Sequence, residues 1–119
     1  MKILNLGSMN VDNVYQVDEF LLPGETKLSQ RLDLFCGGKG LNQSIAAVRA
    51  GNEVWHAGLI GEDGGMLLDK LNENGVNTSL IQQVHGKRGH TVIQVNSHGQ
   101  NCILLYGGTN RMLTRELID

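Results

Sequence analysis

Apolar and polar positions along this chain follow two rhythms, and the rhythms take turns. Ile3 to Gly7 is a short apolar run ending in glycine and giving way to polar residues. That is the pattern of a buried strand that delivers a loop at its C-terminal end. Val54 to Ile60 repeats it, ahead of the loop Gly61-Glu62-Asp63-Gly64-Gly65. Between the two, Leu41, Ile45 and Val48 recur at helical spacing, which predicts a helix over Leu41 to Ala50 with Gly51 as its stop. Met66 to Asn74 predicts a second helix, ended by Gly75. Strand, loop and helix, repeated in that order, imply parallel strands joined by crossover helices.

The remaining segments are strand-like. Val14 to Phe20 is a weaker extended candidate, and Pro23-Gly24 makes a turn. Leu28 to Phe35 alternates, with Leu28, Gln30, Leu32 and Leu34 on one face and Ser29, Arg31 and Asp33 on the other. It predicts a strand with one wet face. Leu80 to Val84, Thr91 to Asn96 and Cys102 to Tyr106 are short strands, with Ser97-His98-Gly99-Gln100 as a hairpin turn. An antiparallel element therefore interrupts the α/β pattern. Thr114 is placed to N-cap a last helix, and the sequence stops one turn later at Asp119.

Composition narrows the function classes. The chain has 119 residues, 40% of them hydrophobic, enough for one small domain with a core. Its net charge is −2 and no basic run exceeds Lys87-Arg88, which argues against a nucleic-acid or membrane-surface partner. Cys36 and Cys102 form no Cys-x-x-Cys and read as free thiols in a reducing compartment. The start of the chain has neither a signal-peptide core nor a cleavage site, so the expected location is cytoplasmic. His56, His85, His90 and His98 lack metal-ligand spacing and are expected on the surface.

Two polar constellations carry candidate chemistry. In Gly37-Gly38-Lys39-Gly40-Leu41-Asn42-Gln43 a double glycine opens a helix. The first turn offers unpaired N–H groups and a positive dipole end, suited to phosphate, carboxylate or hydroxyl oxygens. The spacing matches neither the phosphate-loop nor the dinucleotide pattern. A tight strand-to-helix turn accounts for the glycines alone, but such a turn needs neither Lys39 nor Asn42. The second constellation is Asn10-Val11-Asp12, just past the first buried strand, where open α/β sheets place ligands. Alternation puts Asn10 and Asp12 on one side of an extended segment. They either close an Asx-turn or grip vicinal hydroxyls. Asp63 is read as a helix N-cap, and Gly107-Gly108-Thr109-Asn110 as a second close backbone approach or a turn.

These motifs, in this order, resemble the PfkB carbohydrate kinase family over essentially the whole chain. Leu6 to Asp12 resembles its opening strand and sugar-binding turn, Pro23 to Thr26 its turn into the lid, and Phe35 to Gln43 its first signature. Gly58 to Asp63 and Gly107 to Asn110 follow in the family's order, and Lys39-Gly40 with Asn42-Gln43 resembles the ribokinase branch. The resemblance implies the N-terminal portion of a ribokinase-like three-layer α/β fold with a small antiparallel β lid. Residues 1–119 would be a single incomplete domain, with lid strands near 14–20, 28–35, 80–84 and 91–106. Asn10, Asp12, Gly37, Gly38, Lys39 and Asn42 would hold the sugar. The parent reaction would be transfer of the γ-phosphoryl of ATP to the 5-hydroxyl of D-ribose, with Mg²⁺ and a monovalent cation. Two copies would pair through the lid. The family's second signature, with its catalytic Asp and nucleotide pocket, has no counterpart in this sequence, so the chain alone is expected to be inactive. A non-catalytic sugar-binding or dimerisation module, or a kinase for another sugar or nucleoside, are the alternative readings.

Overall fold

The computed structural model describes residues 1–118, so Asp119 at the end of the expected last helix lies outside the described residues. Two sheets share one root. The first is parallel and ordered β1-β4-β5, from β1 (Lys2–Leu6), β4 (Glu53–Ile60) and β5 (Asn77–Gln83). The second is ordered β3-β2-β6-β7, from β2 (Asn10–Gln16), β3 (Arg31–Gly37), β6 (Gly89–Val95) and β7 (Asn101–Tyr106). Helix α1 (Lys39–Arg49) joins the second sheet back to β4, and α2 (Gly65–Glu73) joins β4 to β5. A short 3-10 turn over Gly108–Met112 and a final helix α3 (Arg115–Ile118) close the order. Among the described residues no helix is long and apolar enough to cross a membrane.

The parallel sheet forms as the apolar runs predict, and its core lies on one face. Val54 and Ile60 of β4 meet Leu41 and Ile45 of α1 and Leu67 and Leu71 of α2, with Met9, Val11 and Val76 completing the cluster. Gly51, at φ +94°, lets the chain leave α1 at once, as expected of a C-terminal glycine. Leu4, Leu6 and Leu80 point to the opposite face, where they stay exposed beside a cleft also lined by Leu113 and Leu117.

The second sheet departs from expectation in four ways. The strand expected over residues 14–20 is Asn10–Gln16, because β2 is paired along its whole length by β3 on one side and β6 on the other. Its polar start has weak strand propensity, and tertiary pairing overrides that. Residues 80–84, expected in the lid, lie largely in β5, which pairs in parallel with β4 and belongs to the core sheet. The lid's outer pairs are antiparallel as expected, but its central pair β2–β6 is parallel. Nor does β3 have a single wet face: Leu32, Leu34 and Phe35 are all exposed, since nothing covers the sheet beyond its root. All of β7 is exposed.

The root is held by backbone contact between β1's end and α1's start. A Cβ on Gly40 would lie 2.5 Å from the carbonyl carbon of Gly7 and the nitrogen of Ser8. Gly40→Ala is expected to cost about 1–3 kcal/mol through forced separation of these segments. Gly65→Ala, where an added Cβ meets nothing within 4 Å, serves as the neutral control. Urea denaturation of the two variants checks this; equal midpoints would contradict the contact's importance.

Candidate functional site

The register of β2 assembles the site. Asn10 lies opposite Gly37 on β3 and Gly89 on β6, and Asp12 lies opposite Phe35 and Thr91. Asn10 and Asp12 therefore face the same way, two residues apart on a strand, as alternation along an extended segment implied. Oδ1 of Asp12 accepts a hydrogen bond from the Thr91 hydroxyl at 2.8 Å. Its Oδ2 lies over Gly37, where a Cβ would come within 2.6 Å of it. A side chain at 37 would therefore push the carboxylate from the position it holds.

Asn110 fixes the other polar residue. Its Oδ1 accepts from the Met9 N–H at 3.0 Å, and its Nδ2 donates to the Met9 carbonyl at 3.0 Å and to Oδ1 of Asn10 at 2.7 Å. Because Met9 offers one donor and one acceptor, the orientation of the Asn110 amide is determined, and with it that of Asn10. The Asn10 Nδ2 is left without a protein partner among the described residues. The chain then enters α1 through Gly38 at φ +97°, a conformation side chains rarely adopt. The Leu41 N–H donates to the Ser8 carbonyl at 3.0 Å, tying this first turn to the β1–β2 connection.

Asn10, Asp12, Gly37 and Gly38 thus converge. Lys39 and Asn42 sit on the exposed side of the same helical turn, with no side-chain partner among the described residues. Asn42 also lines a groove of about 670 Å³ between α1 and α2, with Cys36, Arg49 and Lys70. That groove contains neither Asn10 nor Asp12 and is an open surface feature rather than a built site. Cys36 and Cys102 are free thiols, and burial pushes the Cys36 thiol up. No group of three His, Cys, Asp or Glu converges among the described residues.

Two sequence expectations fail here for physical reasons. Asp63 does not cap α2, whose N-cap is Gly64 without a side-chain bond. Its carboxylate accepts from the Arg88 N–H at 2.9 Å and pairs with the guanidinium at 3.4 Å. His56 is not at the surface but fully buried. Its Nε2 faces the Gly7 carbonyl at 3.1 Å and its Nδ1 the Ser44 hydroxyl at 2.6 Å, while Asn5 Nδ2 donates to Ser44 Oγ at 2.9 Å and to the Gly40 carbonyl at 2.8 Å. Thr91 and Asn110 are the site residues that sequence reasoning passed over. Asn110 stood in a noted motif, whereas Thr91 becomes visible only through the lid's pairing.

A parallel sheet with one helical face, a separate lid and a polar cradle at their junction defines a class, and the comparisons agree. The pattern of pfkB family carbohydrate kinases matches residues 1–119, and the chain belongs to that family. It is similar to the ribokinase of Staphylococcus aureus (strain COL), at 38% identity over 119 residues that cover 97% of this chain and 39% of that protein. Ribokinase from Thermotoga maritima superposes with a TM-score of 0.88 at 33% identity, covering 98% of this chain and 39% of that one. Arabidopsis thaliana ribokinase, solved with ribose and ATP, gives 0.81 at 29% identity, covering 90% and 36%. The fold is the N-terminal portion of the ribokinase-like α/β fold. The chain spans about two fifths of the length of that curated relative, 39%.

Asn110→Ala is expected to destabilise the chain by about 1–3 kcal/mol, because it strands the Met9 N–H and carbonyl together. Chemical denaturation measures this, and a change within about 0.5 kcal/mol would show that water replaces the amide without cost.

Proposed function

We propose that this chain supplies the acceptor half of the active site of an ATP-dependent sugar kinase, with D-ribose as the sugar. The observation that carries the reading is a matched pair on one face of β2. Asn10 presents an N–H donor and Asp12 a carboxylate oxygen, each with its other polar atom already engaged by Asn110 or Thr91. Their Cα atoms are about 6.5–7 Å apart along the strand. Neighbouring sugar hydroxyls both donate and accept, so a fixed donor beside a fixed acceptor suits them. Gly37 and Gly38 allow the sugar close to the backbone. Lys39 and Asn42 add polar contacts from the first turn of α1, whose opening amides lack helical acceptors.

In the parent reaction the γ-phosphoryl of ATP passes to the 5-hydroxyl of D-ribose. Phosphoryl transfer depends on positioning and charge neutralisation, and the residues of this chain do the positioning of the acceptor. ATP, Mg²⁺ and a monovalent cation belong to the rest of the longer enzyme, and no step through them is assigned to these residues. The same reading makes the lid a contact between two copies, supported by the exposed Ile103, Leu104, Leu105 and Tyr106 of β7.

Amide NMR with added D-ribose tests the proposal. Resonances of Asn10, Asp12 and Gly37 to Asn42 are expected to shift, and Asp12→Ala is expected to abolish the shifts while keeping peak dispersion. With ATP and Mg²⁺ added, the chain alone is expected to form no ribose 5-phosphate. Unmoved resonances in a dispersed spectrum would overturn the acceptor assignment, and product formation would overturn the division of labour.

A further inference from the structure

The half-buried Asn5 and the fully buried Ser44 and His56 belong to none of the sugar contacts above, yet their hydrogen bonds end on the two segments that frame them. The directions can be assigned. The Gly7 carbonyl only accepts, so His56 Nε2 carries a proton and donates to it at 3.1 Å. Neutral imidazole then accepts at Nδ1, and the Ser44 hydroxyl donates to it at 2.6 Å. Ser44 Oγ in turn accepts from Asn5 Nδ2, whose second N–H goes to the Gly40 carbonyl. The relay runs from the end of β1 through β4 and α1 back to the first turn of α1. Its terminal acceptors, Gly7 and Gly40, are the two glycines in backbone contact.

We propose that Asn5, Ser44 and His56 are positioning residues for the sugar site, holding the first turn of α1 on the β1–β2 connection only while His56 is neutral. The role rests on the acceptor reading above for its consequence, but not for its test. A proton added at Nδ1 would turn that atom into a donor facing a hydroxyl that already accepts from Asn5. Ser44 would lose the acceptor for its own hydrogen, and a charge would sit in the core. Groups beside His56 offer no compensation: Asn5 and Gly7 at β1 and Ser44 on α1 are uncharged, as are Thr78 and Ser79, which lie between the paired Asn77 and Leu80 of β5. Burial pushes the His56 pKa below its ordinary 6.5, and the Gly7 bond opposes this only in part. Once the turn opens, His56 regains its ordinary value. The relay therefore contributes in full above about pH 6.5, and its contribution is lost as pH falls below that.

Residue-resolved hydrogen exchange of the full chain from about pH 7.5 to about 5.5 tests this, expressed as protection factors. Wild-type protection at Gly7, Leu41 and Asn42 is expected to fall by up to about tenfold per pH unit below 6.5, while the interior of β4 holds. His56→Gln keeps one donor and one acceptor with no proton to gain, and its protection should stay flat. Ser44→Ala should be weakly protected in this turn at every pH. If Ser44→Ala does not fold, the wild-type and His56→Gln comparison decides alone. No fall, an equal fall in His56→Gln, or a fall spread through both sheets would overturn the proposal. D-Ribose titrated over the same range separates the two claims. A turn that loosens in a chain that never binds ribose keeps the positioning role and removes the acceptor reading. Ribose affinity and turn protection that both ignore pH do the reverse.

Discussion

The Gly7–Gly40 contact is the constraint on which the rest of the site depends. An added Cβ on either glycine would lie within 2.7 Å of the other segment's backbone, so the end of β1 and the start of α1 touch without side chains between them. This fixes where the chain can go next. After Gly7 it must pass over the helix start, and Met9 and Val11 drop into the core as it does so. The next residues form β2 between β3 and β6, and Asn10 and Asp12 are thereby aimed together. A larger residue at either glycine would lift the helix and rotate the first turn away from the carboxylate.

Polar groups around that contact divide into committed and uncommitted atoms. Thr91 holds one oxygen of Asp12, and Asn110 holds the oxygen of Asn10. Each such bond contributes only about 0.5–1.5 kcal/mol net to stability. Their larger effect is on orientation, because each removes rotamers that the side chain would otherwise sample. A ligand then meets groups whose ordering entropy, about 0.5–1.5 kcal/mol per side chain, has already been spent in folding. Thr91 lies on β6, so the pairing of β6 with β2 also orients the Asp12 carboxylate.

Legibility in the sequence follows this division. The parallel strands and both long helices were readable because apolar periodicity records burial on one face, as Leu41 and Ile45 do in α1. The six sugar-contact candidates could be named because Gly-Gly before a helix and Asn-x-Asp after a strand are local patterns, and the structure brings Asn10, Asp12, Gly37 and Gly38 together while Lys39 and Asn42 stay exposed on the helix. Lid pairing was not readable. It depends on which strand lies beside β2, and exposed residues such as Leu104 and Leu105 show no alternation that marks a face. The three-residue relay was hidden for the same reason: Asn5, Ser44 and His56 are separated by 39 and 12 residues and meet only after β1, α1 and β4 have packed. A histidine in an otherwise apolar strand was the one available signal, and solvent exposure is the commoner fate of that residue type.

Exposed apolar surface gives the last step. In α/β folds a parallel sheet is covered on both faces, but here the face carrying Leu4, Leu6 and Leu80 is open, as are both faces of β7. The site's polar network uses neither surface. Asn110, Thr91 and the His56 relay all act between the covered face of the parallel sheet, the lid root and the first turn of α1. The polar cradle is accordingly ordered by contacts internal to this chain, with no contribution from the open faces. The geometry of the site is therefore tied to the stability of the covered face through Asn110 and the Gly7–Gly40 contact, and not to the residues of the open faces.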